Sequence, residues 1–431
     1  MNSERQQAYL NLINQLLNSP SGEEAQILKT HPELVDDGLV AAMLEEAENL
    51  REQGELNNAD LLKYFAVWLG KVNDYFLAEI ALKVEADRLL EKGHQQYAIS
   101  QFREALQSWD QALTIYREIR YRQGEAASLC SLGNAYQFLG QYDNAIEFYE
   151  QSLEISREMG NRQGESASLR NLGNTYNSLG QYDNVIEFYE QSLEISREIG
   201  DRQGEAISLG NLGNAYNFLG QYHKAIEFYK QYLEIIREIG NRKIEASSLD
   251  CLGNVYTSLG QHDRAIDFIA QSLEISCEIG DRQGEAASLR HLGLPYNSLG
   301  QYHRAIDFLE QSLEIEREIG NHRQEAISLG NLGLAYNSLG QYHRAIDFIA
   351  QSLEISREIG DRRQEAISLG NLGLAYNSLG KYHKAIDFCE QSLKISREIG
   401  NRQGEAISLG DLGNAYNSLG QSHKAIDFIA Q

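Results

Sequence analysis

Histidines stand at positions 223, 303, 343, 383 and 423, always forty residues or a multiple of forty apart. Histidine is the commonest metal ligand at neutral pH, so a periodic set raises the question of a metal site. Four of the five fall in successive intervals and would form a column. Packed helices lie about 10 Å apart, whereas zinc ligands lie about 2 Å from one ion. One ion cannot serve two members of such a column. The spacing therefore predicts solvated histidines, with no metal and no cofactor. Cys130, Cys251, Cys277 and Cys389 are scattered without a CxxC pair, which predicts free thiols in a reducing, cytoplasmic setting. The signatures HExxH, GxSxG and the phosphate-binding GxxxxGKS/T are absent, and no position joins a nucleophile, a base and an orienting group. The chain is expected not to be an enzyme.

Asparagine carries more signal. It recurs at 171, 211, 331 and 371, and three residues further on at 134, 174, 214, 254 and 414. In a helix it costs about 0.6 kcal/mol against alanine, so nine of them cost on the order of 5 kcal/mol. Each amide offers two donors and an acceptor, which suits the backbone of an extended peptide. Two readings stay open: the amides hold a ligand, or they bridge neighbouring helices.

The elements that position these residues follow from a repeat. From residue 121 the sequence recurs every 40 residues without insertion, in seven full copies to residue 400 and an incomplete one at 401–431. A degenerate copy at 81–120 precedes them, with Phe102, Ala105, Leu106, Trp109, Leu113 and Ile115 in the places of Tyr142, Ala145, Ile146, Tyr149, Leu153 and Ile155. In the copy 201–240, Asp201 is placed to cap a first helix. Ala206, Leu209, Leu212, Gly213, Tyr216 and Leu219 share one face of it at helical spacing. Gly220 ends it, and Tyr222, Ala225, Ile226, Tyr229, Leu233 and Ile236 line a second helix that ends at Gly240. Gly213 and Ala225 mark a close approach of the pair. Opposite the core face of the first helix lie Ile207, Asn211, Asn214 and Phe218. Residues 121–400 should thus form fourteen antiparallel helices, with neighbouring hairpins stacked to bury both faces.

The run LGNAYNSLGQYHKAI, Leu212 to Ile226 with Ser in the place of Phe218, resembles the tetratricopeptide repeat, with its small and aromatic skeleton at 213, 216, 220, 222 and 225. The 40-residue length and NLGN core look like the Pins/LGN-type branch, and the whole is similar to bacterial, cyanobacterial multi-repeat proteins. The resemblance implies an all-α, right-handed superhelical solenoid of antiparallel helix pairs. It also implies a concave groove, lined by first helices, that takes a peptide or partner protein. The site residues expected on that groove are Asn134, Phe138, Arg170, Asn171, Asn174, Asn211, Asn214, Phe218, Asn254, Leu294, Asn331, Leu334, Asn371 and Leu374. The groove should be amide-lined over 134–254 and more apolar over 294–374, where three leucines replace the second asparagine.

Residues 1–80 read as a separate helical region. Tyr9, Leu10, Ile13, Leu16 and Leu17 give an amphipathic helix closed by Pro20. Ser21 and Glu24 form a capping box, Pro32 resets the chain, and helices follow near 34–53 and 57–77. This small helical domain should cover the N-terminal end of the array. The first 80 residues hold 14 acidic and five basic residues, and the whole chain carries a net charge of −24. That charge disfavours nucleic acid. No run reaches the length of a membrane span, so no membrane contact is expected.

Three further features bear on function. The Arg-Glu pairs at 157–158, 197–198 and 357–358 look like a solvated convex face. Pro295 falls inside a first helix and predicts a kink or fraying near His291 to Pro295. The incomplete copy at 401–431 leaves an uncapped end open to self-association. It also fits a fragment of a longer protein, in which the array would be the sensor of a protease-like or signalling domain. A binding scaffold is the leading expectation, and that sensor role is the alternative.

Overall fold

The computed structural model describes residues 3–19 and 24–429. It resolves into two compact units, Met1–Leu179 and Gly180–Gln431, and its described residues contain no strand.

The first unit opens with α1 (Ser3–Leu17), α2 (Glu24–Thr30), α3 (Asp37–Glu52) and α4 (Leu56–Ala98). Pro20 and Ser21, read as a helix stop and half of a capping box, lie outside the described residues. Pro32 opens a 3-10 turn, Pro32–Leu34. Asp36 then caps α3 by accepting from the Leu39 amide at 3.0 Å, while the Tyr9 hydroxyl donates to the same carboxylate at 2.7 Å. Tyr9, Ile13 and Leu16 of α1 are buried together with Leu39, Met43 and Leu50 of α3 and Leu62 and Leu69 of α4.

The helix expected to stop near residue 77 instead runs unbroken to Ala98, so the division drawn at residue 80 falls inside α4. No proline interrupts this stretch, and its far end has its own packing partner. Gly93 admits the Trp109 ring, whose Nε1 donates to Leu90 O at 3.1 Å. Trp109 belongs to α5 (Phe102–Glu118). The unit closes with α6 (Arg122–Phe138), α7 (Tyr142–Glu158) and α8 (Arg162–Ser178).

The second unit continues the pattern. It comprises α9 (Tyr182–Glu198), α10 (Arg202–Phe218), α11 (Tyr222–Ile239), α12 (Arg242–Ser258), α13 (His262–Glu278), α14 (Arg282–Ser298) and α15 (Tyr302–Glu318). After these come α16 (His322–Ser338), α17 (Tyr342–Glu358), α18 (Arg362–Ser378), α19 (Tyr382–Glu398), α20 (Arg402–Ser418) and α21 (Ser422–Ile429). Residues 121–400 thus hold the fourteen expected helices, α6 to α19.

The local signals act as read. The Asp201 carboxylate accepts from the Gly204 amide at 2.9 Å. Gly220 and Gly240 sit at φ +70° and +76°, the left-handed region where a side chain is strained. In the degenerate copy Ser100 and Arg120 hold those turns at φ 63° and 55°. A Cβ on Gly213 would lie 2.7 Å from the Tyr229 ring, so this glycine is what lets the two helices of the hairpin meet. Leu219, expected in the core, sits at the helix end and is 37% exposed.

Stacking between copies rests on two devices that the sequence reading did not identify. Buried serines bridge three helices: Ser352 Oγ donates to Ala326 O at 2.6 Å and lies 2.9 Å from Ser368 Oγ. The second device corrects the reading of the Arg-Glu pairs. Arg157, Arg197 and Arg357 do not simply face solvent. Their Nε atoms donate to Glu165, Glu205 and Glu365 of the following copy at 2.9, 2.8 and 2.9 Å. Those carboxylates are buried, and each takes a second arginine, Arg162, Arg202 or Arg362, on its other oxygen. Burial pushes the Glu365 carboxyl up, but the bonds from Arg357 and Arg362 outweigh it and hold the pKa below the usual range.

Pro295 does not fray its helix. α14 is continuous from Arg282 to Ser298, and the Leu299 amide closes normally on Pro295 O at 2.9 Å.

Candidate functional site

Within the second unit first helices lie side by side, and the surface between them can be built up from α16 and α18. Each turn of these helices brings positions three and four apart onto one stripe. On α16 the stripe is Arg323, Ile327, Gly330 and Asn331. On α18 it is Arg363, Gln364, Ile367 and Asn371, and Asp361 caps that helix. Together they line a cleft of about 390 Å³. Gly330 forms its floor: a Cβ there would meet nothing closer than Ser352 Oγ at 3.6 Å, with Asn371 Nδ2 and Gln364 Nε2 at 3.8 Å. Arg323 Nε bridges the mouth to Asp361 Oδ2 at 3.0 Å, as Lys243 Nζ does to Asp281 between α12 and α14. The cleft therefore offers amides at its base, aliphatic walls and guanidinium groups at one end. Ile367 is 46% exposed, and Ile207 and Ile407 at the same repeat position are exposed as well.

The structure divides the sequence-predicted residues into two sets. Asn331 and Asn371 face one another across this cleft. Asn171 and Asn211 hold the matching position of other copies, Arg170 holds that of Gly330, and all three are half-buried. Asn171 Nδ2 reaches Cys130 Sγ at 3.4 Å, and Arg170 Nη1 donates to Ser166 Oγ at 2.8 Å. The residues three positions further on behave differently. Asn134 Oδ1 accepts from the buried Tyr149 hydroxyl at 2.6 Å, and Asn214 Oδ1 accepts from Tyr229 at 2.5 Å. These amides bridge the two helices of their own hairpin through the acceptor atom and stay exposed to solvent. Asn174 and Asn254 occupy the same position and are half-buried.

Leu294, Leu334 and Leu374 stand where the second-helix partner is Leu309, Ile349 or Cys389 instead of tyrosine. Leu294 and Leu374 are exposed and Leu334 is half-buried. Leu334 and Leu374 are not part of the cleft lining. Phe138 and Phe218, both largely exposed, lean on the preceding copy: Phe138 lies 4.4 Å from the Phe102 ring centroid, and Phe218 stacks on Tyr182 at 4.9 Å.

Ile327, Ile367, Arg323, Arg363 and Gln364 were missed from the sequence. The signal was present: this position is isoleucine at 207, 327, 367 and 407 but alanine or serine at 127, 167, 247 and 287, as a core position would not be. The recurring tyrosines stack inside the hairpins, for example Tyr336 on Phe348 at 5.2 Å with Arg344 over the ring. The five periodic histidines are exposed. Among the described residues no cluster of three or more histidine, cysteine or acidic side chains could hold a metal ion, and no helix is long and apolar enough to cross a membrane.

A tetratricopeptide repeat family profile matches residues 86–158, 165–238, 244–318, 286–358 and 364–431. No curated protein matches the sequence. Among solved structures the chain is similar to the apo form of RapI, at 17% identity and TM-score 0.54, covering 64% of this chain and 99% of that one. It is similar to the apo form of the quorum sensor NprR from B. thuringiensis, at 16% identity and TM-score 0.53, covering 78% and 97%. A third similarity is to a signal-transduction ATPase with a tetratricopeptide repeat sensor from Pyrococcus horikoshii, at 14% identity and TM-score 0.54, covering 95% and 66%. Likeness at these identities establishes a shared all-α repeat fold.

Proposed function

The chain belongs to the tetratricopeptide repeat family, and from that premise we propose that it is a protein-interaction module whose first helices hold an extended segment of a partner protein. The observation that carries this reading is the cleft between α16 and α18. An exposed isoleucine such as Ile367 is costly on a surface that only meets water, and with the half-buried Ile327 it flanks amides able to pair with a peptide backbone. The glycine floor leaves room for a main chain to approach. Nothing in this lining supplies a nucleophile beside a base, so the function is binding without catalysis. The four free thiols suit a reducing, cytoplasmic compartment.

The test is affinity capture with the full chain and with its Ile327→Glu/Ile367→Glu variant, both checked for unchanged thermal unfolding. Partners held by the wild type should be lost from the variant. Full retention of every partner by the folded variant would refute the assignment.

A further inference from the structure

Copy 281–320 departs from the shared plan at several places, and every departure weakens it. Its junction with the preceding copy lacks the arginine clamp: Cys277 stands where Arg157, Arg197, Arg237, Arg317, Arg357 and Arg397 stand in the other full copies. Of the two clamping arginines Glu285 keeps one, Arg282, whose Nη1 donates at 2.8 Å, and its side chain is 20% exposed against 9% for Glu245 and Glu365. Pro295 replaces a residue whose N–H would bond the His291 carbonyl, so α14 lacks one rung of its ladder.

Charges also enter its packing. Arg290 takes a position that is glycine at 210, 330, 370 and 410, although Arg170 and Asp250 hold it in two other copies. Glu316 takes one that is serine at 156, 196, 276, 356 and 396. The two approach only to 3.6 Å between Nε and Oε1, too long for a hydrogen bond, although Glu316 is 1% exposed. Arg290 Nε and Glu316 Oε2 have no hydrogen-bond partner. His291 Nδ1 lies 3.5 Å from Asp250 Oδ2, again short of a good bond, and Asp250 Oδ1 is unpaired and buried. A buried charge without full pairing destabilises the fold around it.

The weakened clamp, the missing rung and the two ill-matched buried pairs rest on different atoms, yet all fall on α14 and its immediate packing partners. We propose that the hairpin α14–α15 is a hinge built into the second unit, opening locally before the hairpins on either side. The row of first helices is thereby divided at α14 into two stretches, α10–α12 and α16–α20. A ligand lying across α14 would be held only while the hinge is shut, so ligand binding and hinge closure stabilise each other. The hinge itself does not depend on what the groove binds.

The test is native-state hydrogen exchange on the full chain, read by mass spectrometry. Amides of α14 and α15 should exchange at least about tenfold faster than the matching amides of α12–α13 and α16–α17. A variant that restores the common residues, Asp250→Gly, Cys277→Arg, Arg290→Gly, His291→Asn, Pro295→Ala and Glu316→Ser, should bring them level. Pro295→Ala alone should slow them in part. Equal protection of all these hairpins in the wild type would overturn the hinge. Fast exchange in α14–α15 that the restored variant leaves unchanged would overturn it too.

Discussion

The hairpins 201–240 and 321–360 share the repeat length and the two-helix plan, yet differ on the groove side at positions 214 and 334. In the first, Asn214 accepts the hydroxyl of buried Tyr229. In the second, Leu334 stands opposite Ile349, which has no polar atom to satisfy. The same pairing separates Asn134 and Tyr149 from Leu374 and Cys389. An amide row that reads as a ligand site is thus partly an answer to what lies behind it. The pairing does not run through every copy: Asn254 and Asn414 stand opposite Ile269 and Ile429, and there the amide has no tyrosine hydroxyl to serve. Independent variation is left to the positions of Ile327, Gly330 and Asn331, which line the cleft and carry no such obligation.

Glycine substitutions separate these two surfaces most sharply. A Cβ at Gly333 would lie 2.3 Å from Ile349 Cγ1 and 3.1 Å from Ala345 O. Gly333→Ala should therefore destabilise the fold by about 1–3 kcal/mol even after the gain in helix propensity. Gly330→Ala, on the cleft floor, meets nothing nearer than 3.6 Å and should stabilise by up to about 1 kcal/mol while narrowing the cleft. Thermal and denaturant unfolding of the two variants checks the pair; equal effects would mean that the two glycines do the same job.

The amide–tyrosine pairing comes next in size. Asn214→Leu should cost about 1–2 kcal/mol, because Tyr229 is left with only the thiol of Cys251 as a partner. Adding Tyr229→Ile should recover part of that loss, and a double-mutant cycle reads the coupling. Simple additivity would show that the Asn214 amide and the Tyr229 hydroxyl are not energetically coupled.

Smaller still are the effects of pH, and here two glutamates should differ in sign. Glu365 is held low by Arg357 and Arg362 despite its burial, as are Glu165, Glu205 and Glu245 by their own arginines. Their contribution is present above the ordinary glutamate pKa and fades as pH falls through the lower folded value. Glu316 is raised by burial, against the weaker opposing effects of the Ser328 hydroxyl and the Arg290 charge. It favours the folded state most below the ordinary value, and that contribution is lost as pH rises through the raised one. Glu365→Gln should thus lower the unfolding temperature at pH 7 and matter less at pH 3. Glu316→Ser should raise it at pH 7 and gain least at low pH. A uniform shift with pH in both variants would contradict the assignment.

Much of this architecture was legible in the sequence because helix signals are local. Apolar spacing, Asp201 at a cap and Gly220 at a left-handed turn each act within a few residues. The packing glycine Gly213 was legible from its cost alone. What escaped depended on pairs far apart in the chain. Arg357 looked solvated beside Glu358, because its partner Glu365 sits across a turn in the next copy. The continuity of α4 escaped because an amphipathic pattern changes the face it buries when a helix passes from one core to another. Of the cleft-lining residues, Asn331 and Asn371 were singled out by their periodicity. Ile207 was placed opposite the core face, but its counterparts Ile327 and Ile367 were passed over because that position is alanine or serine in half of the copies and shows no fixed residue type.

The central claim is that the cleft between first helices binds an extended peptide. Its most direct measurement is selection of random displayed peptides on the full chain, followed by affinity comparison against Ile327→Glu/Ile367→Glu. The account predicts that selected peptides protect amides of α16 and α18 from exchange and bind the variant at least about tenfold more weakly, a loss of about 1.4 kcal/mol or more. Peptides that bind the folded variant as tightly as the wild type, or that protect only second helices such as α17 and α19, would contradict it.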